Sequence, residues 1–197
     1  QRQMCIETDT KYGVNIGALV EISGGVSKII ALPCGLKGVL TVPEGTVLGG
    51  YALNGMSGIT QVILPEGTTK IEANAFRFSK VTSVVIPSTV TEIGNYAFAD
   101  SSITSIVIPA SVKTIGNYAF CDSENLASIT FGDGSQLVEL GTHVFEGTAI
   151  QSIELPVGIV RLGSTDYIAS YTFKDCKQLS SVTFLGAVSY THLRAHE

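Results

Sequence analysis

The 197-residue chain has few charges, and they follow no recognisable pattern. Only 15% of its residues are charged, with 12 Lys and Arg against 17 Asp and Glu, and these residues are scattered singly. There is no basic stripe and no interleaving of aromatic with basic residues, so we expect no nucleic-acid partner. The same scarcity excludes a polybasic membrane anchor.

Long hydrophobic runs are also missing, although 45% of the residues are apolar. Gly, Ser, Lys or Glu interrupts the apolar stretches every few residues, and none approaches the roughly 20 residues that a membrane-spanning helix needs. We therefore expect no direct membrane insertion. The polar residues 1–4 are not followed by the apolar core of a signal peptide, which leaves the compartment open for a chain that begins at Gln1.

The motifs of common enzymes are absent. No dinucleotide-binding G-x-G-x-x-G, P-loop or G-x-S-x-G sequence occurs, and there is no calcium loop of the D-x-D-x-D-G type. The four cysteines show no C-x-x-C spacing. Two structural roles remain open for them: a Cys5–Cys34 bridge, or burial as small hydrophobic residues. The cysteines are Cys5, Cys34, Cys121 and Cys176.

The three histidines indicate no active site. His192 and His196 have the i, i+4 spacing of a metal pair, but no third ligand lies near them. His143 stands where other copies of a repeat carry Tyr96 or Tyr118, so we expect a surface-facing or half-buried ring. We predict a non-enzymatic protein with no metal and no cofactor.

What the chain does have is an internal repeat. Prolines at positions 43, 65, 87 and 109 are 22 residues apart, and each ends a short apolar run such as Val81–Pro87 or Ile103–Pro109. A fixed period of about 20–50 residues is the signature of a solenoid. Alternate residues of each run point to one face of a strand, and proline ends the strand because it has no N–H to donate. Looser copies span 126–132, 150–156 and 179–185.

A second block follows each strand, as in Ile93-Gly-Asn-Tyr-Ala-Phe98 and Ile115-Gly-Asn-Tyr-Ala-Phe120. The spacing of its Ile, Ala and Phe predicts a single helical or 3₁₀ turn with one apolar face. One unit of about 22 residues cannot bury both blocks alone. Stacked units bury a continuous column, with Phe over Phe and Ile over Ile.

The pattern L-x-x-I-x-I-P followed by I-G-x-x-A-F resembles the BspA-like leucine-rich repeats of bacterial and protist surface proteins. The resemblance covers residues 36–185, and Phe173-Lys-Asp-Cys176 is similar to the A-F-x-x-C variant of that family. Most copies here lack that cysteine. The resemblance implies a β-rich repeat solenoid, built as a right-handed stack of short parallel strands with short helical or 3₁₀ turns. It also implies an extracellular or cell-surface location.

The organisation predicted from these patterns has three parts. Residues 1–35 form an N-terminal cap-like segment with strands at 16–22 and 26–32, joined by a turn at Gly24-Gly25. Residues 36–186 form the solenoid, with six to seven repeats of 22–29 residues, and extra residues at 163–168 form a loop. Residues 187–197 are a tail without repeats that resembles a cloning scar, and we expect the native protein to continue beyond 185.

The outward positions of the strands form the candidate binding surface. They are small and nearly uncharged, without the aromatic or arginine residues that usually anchor hot spots. One column holds Gln61, Ser83, Ser105, Ser128, Ser152 and Ser181, and the other holds Ile63, Val85, Val107, Thr130, Glu154 and Thr183. Asp166 and Tyr167 in the inserted loop are a second candidate.

Acidic residues in the turns are expected to accept backbone hydrogen bonds. They are Asp100, Asp122, Asp133, Glu146 and Asp175. The sequence, with its family resemblance, favours an adhesin-like binding protein, monomeric in isolation, that presents the sheet to a protein or matrix macromolecule. The alternative is a structural spacer that displays another module of a longer surface protein.

Overall fold

The structure is a computed structural model that describes the backbone of residues 3–9, 14–23, 26–159, 161–162 and 171–186. Side chains are described for residues 18–23, 26–159 and 171–186. The predicted turn at Gly24-Gly25, the inserted loop with Asp166 and Tyr167, the tail and the pair His192 and His196 lie outside these residues.

The described residues form a β-solenoid in which each rung contributes one longer strand and one short strand. The longer strands run parallel and share an in-register sheet face; β4 pairs with β6 and β6 with β8, β10 with β12, and β14 with β16. They are β4 (Gly38–Thr41), β6 (Ile59–Ile63), β8 (Ser83–Val85), β10 (Ser105–Ile108), β12 (Ser128–Phe131), β14 (Ser152–Leu155) and β16 (Ser181–Phe184). These strands form because β-branched residues alternate between the core and solvent, as in the buried Val62 and Ile106.

The short strands stack into a second parallel sheet, which is five-stranded from β7 to β15. They are β7 (Lys70–Ile71), β9 (Glu92–Ile93), β11 (Thr114–Ile115), β13 (Glu139–Leu140) and β15 (Arg161–Leu162). The equivalent strand of the first rung, β5 (Thr46–Leu48), pairs instead with the N-terminal segment. The turns between a longer and a short strand contain the repeated proline, whose carbonyl accepts a hydrogen bond three residues on, as from Val90 N to Pro87 O at 3.2 Å.

The N-terminal segment adds three antiparallel strands to this column. They are β1 (Gln3–Asp9), β2 (Val14–Ser23) and β3 (Val26–Ala31). β3 pairs in parallel with β5, and Ala18, Val20 and Ile29 belong to the same apolar core as the repeats. The two strands predicted here are present, whereas β1 was not predicted. The division of the chain at residue 35 and its capping role stay predictions.

The turn after each short strand differs in detail from the expected helical turn. Between Gly94 and Ser101, every second backbone N–H donates an i→i+3 hydrogen bond of the kind found in a 3₁₀ helix, three bonds in all. The segment is not a 3₁₀ helix, because Tyr96 and Asp100 are left-handed, with φ of 56° and 55°. The expected burial is nevertheless confirmed, since Ile93, Ala97 and Phe98 all lie in the core.

Phenylalanines form the centre of the solenoid. Phe76, Phe98, Phe120, Phe145 and Phe173 stack rung over rung, with ring centroids 4.7, 5.2, 5.8 and 5.5 Å apart. All but Phe173 are fully buried. The predicted Phe-over-Phe column is therefore confirmed.

Candidate binding surfaces

The outward columns of the longer strands lie where the sequence places them. Register pairs Gln61 with Ser83 and Ile63 with Val85. Farther along, the same two columns align as Ser105 with Ser128, Val107 with Thr130, Ser152 with Ser181 and Glu154 with Thr183. Ser105, Ser128, Thr130, Ser152 and Glu154 are exposed, whereas Gln61, Ile63 and Ser83 are half-buried.

Two valines on this face are unusually open to solvent. The exposed fraction is 49% for Val85 and 63% for Val107. A row of threonines borders the columns, and each hydroxyl donates to a carbonyl of the preceding rung, as Thr82 Oγ1 does to Thr60 O at 3.0 Å. These hydroxyls are therefore engaged within the sheet, and the columns beside them present small polar and apolar side chains together with the charged Glu154.

The turns that follow the short strands carry a second surface, which the sequence reasoning missed. Here Tyr96, Tyr118, His143 and Tyr171 stack in successive rungs, with ring centroids 4.8, 4.5 and 4.8 Å apart and rings within 9° of parallel. The Arg77 guanidinium extends the column, because it lies 5.0 Å from the centroid of Tyr96 and 4.6 Å from that of Phe78. We call these six side chains the π stack: Phe78, Arg77, Tyr96, Tyr118, His143 and Tyr171.

Left-handed backbone holds the rings in line. Tyr96, Tyr118 and His143 have φ between 55° and 57°, a conformation that is uncommon outside glycine. The signal for this arrangement was available in the alignment of the I-G-x-x-A-F blocks, which places the three rings in one column. His143 is half-buried, as expected, and Tyr171 is exposed. Burial raises the pKa of the Tyr118 phenol.

A row of acidic residues runs beside the π stack. Asp100, Asp122 and Asp175 occupy a second left-handed position, with φ between 54° and 57°, and Gly147 takes that position in the rung between the last two. We call the three aspartates the acidic row. Burial, and then repulsion from Asp122, raises the pKa of Asp100, although Arg77 opposes the shift.

The ends of the acidic row contact cations that belong to the chain. Arg77 Nε lies 3.7 Å from Asp100 Oδ2, and Lys174 Nζ lies 3.6 Å from Asp175 Oδ2. Lys174 also donates to Glu146 Oε1 at 2.6 Å, and His143 Nδ1 contacts the other Glu146 oxygen. Burial alone would raise the pKa of Glu146, but the hydrogen bonds from Lys174 and His143 outweigh it and lower this pKa.

A cavity of about 430 Å³ opens at the acidic row next to Gly147. Its lining side chains offer three carboxylates against one ammonium group, and the backbone of Gly147 leaves room between them. The lining residues are Asp122, Glu124, Gly147, Thr148, Ala149, Asp175, Lys177 and Gln178.

Three cysteines lie among the residues with described side chains, and all three are free: Cys34, Cys121 and Cys176. The side chain of Cys5, the other member of the bridge considered from the sequence, lies outside these residues. Cys34 is exposed, while burial and a hydrogen bond to Asp122 raise the pKa of Cys121 to about 12. The described residues bring together no group of three or more His, Cys, Asp or Glu side chains that could hold a metal.

Within the described ranges of the chain, no helix combines the length and the apolar character that crossing a bilayer requires.

The fold is shared with leucine-rich repeat proteins of several bacteria. The pneumococcal vaccine antigen PcpA is 18% identical with a TM-score of 0.66, and the match covers 92% of this chain and 48% of PcpA. A leucine-rich repeat protein of T. pallidum is 22% identical with a TM-score of 0.71, over 90% of this chain and 81% of that one. A leucine-rich cell-surface protein of Faecalibacterium prausnitzii is 20% identical with a TM-score of 0.59, over 93% and 55%.

This chain thus spans about half the length of PcpA. No curated protein matches its sequence at a significant level. The family model described as "BspA type Leucine rich repeat region (6 copies)" matches residues 46–165 and 162–195. Proteins with such repeats are typically exposed on the cell surface or secreted. The chain belongs to the BspA-type leucine-rich repeat family.

Proposed function

We propose that this chain is a non-enzymatic binding module of a cell-surface or secreted protein, and that it contacts a protein or matrix macromolecule through the face of its longer strands. Membership of the BspA-type family supports the location. The observation that carries the choice of face is the exposure of Val85 and Val107, at 49% and 63%, at equivalent outward positions of the consecutive longer strands β8 and β10. Exposed apolar side chains gathered on one surface commonly mark a contact site.

The regular columns give this face its suitability for a large partner. Register repeats similar, mostly small side chains from rung to rung, so the surface is extended. Extended solenoid surfaces of this kind contact macromolecules along their length. The lack of aromatic and arginine side chains on both columns supports the second candidate, a spacer that displays another module and has no partner on the sheet.

A double substitution on the sheet tests the proposal. Val85→Arg with Val107→Arg places two charges where the partner would bury apolar surface, and leaving a charge unpaired in an interface costs several kcal/mol. We expect binding to immobilised extracellular-matrix proteins and to cultured animal cells to fall about tenfold or more. Binding is measured with the fluorescently labelled chain.

The control carries the same change at valines outside the longer strands. Val138→Arg with Val157→Arg alters two side chains that are 42% and 59% exposed, and it should leave binding unchanged. Thermal melting should be the same for both variants, because all four side chains point into solvent. Equal binding by wild type and the Val85/Val107 variant would refute the sheet-face proposal and favour the spacer.

A further inference from the structure

Arg77 shows how the turn face of this solenoid holds a guanidinium group. The group lies between the rings of Phe78 and Tyr96 and faces the Asp100 carboxylate, with Nε 3.7 Å from Oδ2. An aromatic face together with a carboxylate is the combination that favours arginine over lysine, because guanidinium is planar, weakly hydrated and able to stack. The π stack and the acidic row are thus close enough for one side chain to touch both.

The next rungs repeat the rings and the carboxylate without supplying a cation, but their ring faces are already covered, because Tyr96, Tyr118 and His143 stack directly on one another. In the next two rungs the position of Arg77 is taken by the small residues Ala99 and Cys121, while the rings of Tyr96 and Tyr118 continue the stack. The Asp122 carboxylate receives a hydrogen bond from Cys121 Sγ at 3.3 Å. Within the part of the chain that the structure describes, no Lys or Arg forms an ion pair with Asp122 or Glu124. Asp122, in the middle of the acidic row, therefore lacks the cation that Arg77 and Lys174 supply at the ends of the row.

Space for an incoming side chain lies at the same place. The cavity of about 430 Å³ is lined by Asp122, Glu124 and Asp175, with Lys177 as its one cation. Asp175 is already shared with Lys174. Gly147, at φ 69°, brings no side chain into the row, and a Cβ there would collide with the Asp122 carboxylate.

We propose that the turn face, composed of the π stack and the acidic row, is a docking surface for an arginine-rich segment of a partner protein. Arginines of the segment bind the Asp122 and Glu124 carboxylates and lie along the edges of the tyrosine rings, whose faces are covered by their stacked neighbours. Tyrosine and arginine are the residues most enriched at the centres of protein interfaces. Charge complementarity selects a basic partner and disfavours an acidic polysaccharide, since the row and the whole chain, at net −5, are negative.

A labelled peptide of alternating arginine and glycine is the probe for this surface. We expect saturable binding to the whole chain at physiological ionic strength, measured by fluorescence anisotropy. Asp122→Asn with Glu124→Gln should weaken this binding about tenfold, because charge-assisted hydrogen bonds to guanidinium are lost. The same peptide with lysine in place of arginine should bind several-fold more weakly than the arginine peptide, because ammonium cannot form the two parallel hydrogen bonds that guanidinium forms with a carboxylate.

The control removes the same charge elsewhere. Glu44→Gln with Glu66→Gln changes two exposed carboxylates in the turns after Pro43 and Pro65, and its binding should stay within about twofold of wild type, since only general charge has changed. The proposal is overturned if no saturable binding occurs, if the two charge variants lose binding equally, or if lysine and arginine peptides bind alike. Val85→Arg with Val107→Arg should not weaken peptide binding. This variant therefore separates the two proposals, because it alters the sheet face and leaves the turn face unchanged.

Discussion

The distance between neighbouring rungs decides which residues are tolerated at single positions. Gly94, Gly116 and Gly141 follow the apolar residue of successive short strands, and the backbone of the preceding rung passes directly beside each of them. A Cβ on Gly116 would lie 2.7 Å from Asn95 N and 2.9 Å from Gly94 C. Such an atom has no space unless the two rungs separate, so glycine is favoured at this position of the three blocks for steric reasons, whereas the block that begins at Ile71 carries Glu72 there.

Replacing this glycine should therefore destabilise the fold. We expect Gly116→Ala to lower the free energy of unfolding by about 1–3 kcal/mol, as overpacking of a tight site does. Urea denaturation followed by circular dichroism measures the change. Gly35→Ala is the matched control, because nothing lies within 4 Å of a Cβ at that position. A loss at Gly35 as large as that at Gly116 would contradict the steric explanation.

The turn after each short strand is the element that joins rungs on the side opposite the longer strands. The third position after the phenylalanine of each turn is cysteine in the A-F-x-x-C variant. In this chain it holds Ser79, Ser101, Ser123, Thr148 and Cys176. Several of these side chains bond across rungs, as Cys176 Sγ does to Phe145 O at 2.9 Å. Ser79 is fully buried, and its hydroxyl has no hydrogen-bond partner among the residues that the structure describes. Cysteine suits this position because a buried thiol loses less than a buried hydroxyl when it lacks a partner.

Glu146 makes one of these turns sensitive to acid. Its pKa is lowered in the folded chain by hydrogen bonds from Lys174 and His143, in spite of its burial. A carboxyl group with a lowered folded pKa adds stability above its unfolded pKa of 4.5, and this stability is lost as the pH falls through the folded value. We expect Glu146→Gln to be less stable than wild type at pH near 7, with a difference that shrinks in acid.

Chemical denaturation of both proteins from neutral pH down to about pH 3, below the ordinary range of a glutamate, measures this difference. Glu44→Gln provides the reference for an exposed carboxylate in a turn. A stability difference between wild type and Glu146→Gln that stays constant across this range would show that Glu146 contributes through packing alone.

The sequence predicts the longer strands more completely than it predicts the turns that follow the short strands. Alternation in Ile103–Pro109 identifies β10 and its outward Ser105 and Val107, because a strand has a period of two and proline ends it. The spacing of Ile93 and Phe98 likewise identifies the buried face of the turn. It does not reveal that Tyr96 is left-handed, since tyrosine has no intrinsic preference for that conformation. The π stack therefore could be predicted only as an alignment of rings, and the cavity at Gly147 depends on side chains from three separate rungs.

At the scale of the whole molecule, the solenoid is a one-dimensional stack in which each rung contacts its neighbours. An interior rung is buried between two other rungs. The ring centroid of Phe120, for example, lies 5.2 Å from that of Phe98 and 5.8 Å from that of Phe145. In the last described rung, Phe173 is half-buried and packs on Phe145 at 5.5 Å. Stability in such a stack is close to a sum of rung and nearest-neighbour terms.

Truncation of the central column should therefore cost more in the middle than at the last described rung. We expect Phe120→Ala to lower the free energy of unfolding by about 3–5 kcal/mol, the range for a fully buried phenylalanine. Phe173→Ala should cost less than half as much, because the side chain is only partly removed from water and has one ring neighbour among the described residues. Urea denaturation followed by circular dichroism gives both values, and hydrogen exchange shows which rungs lose protection. Equal losses at the two positions, with protection lost along the entire stack, would mean that the chain unfolds as one cooperative unit and that nearest-neighbour terms do not describe it.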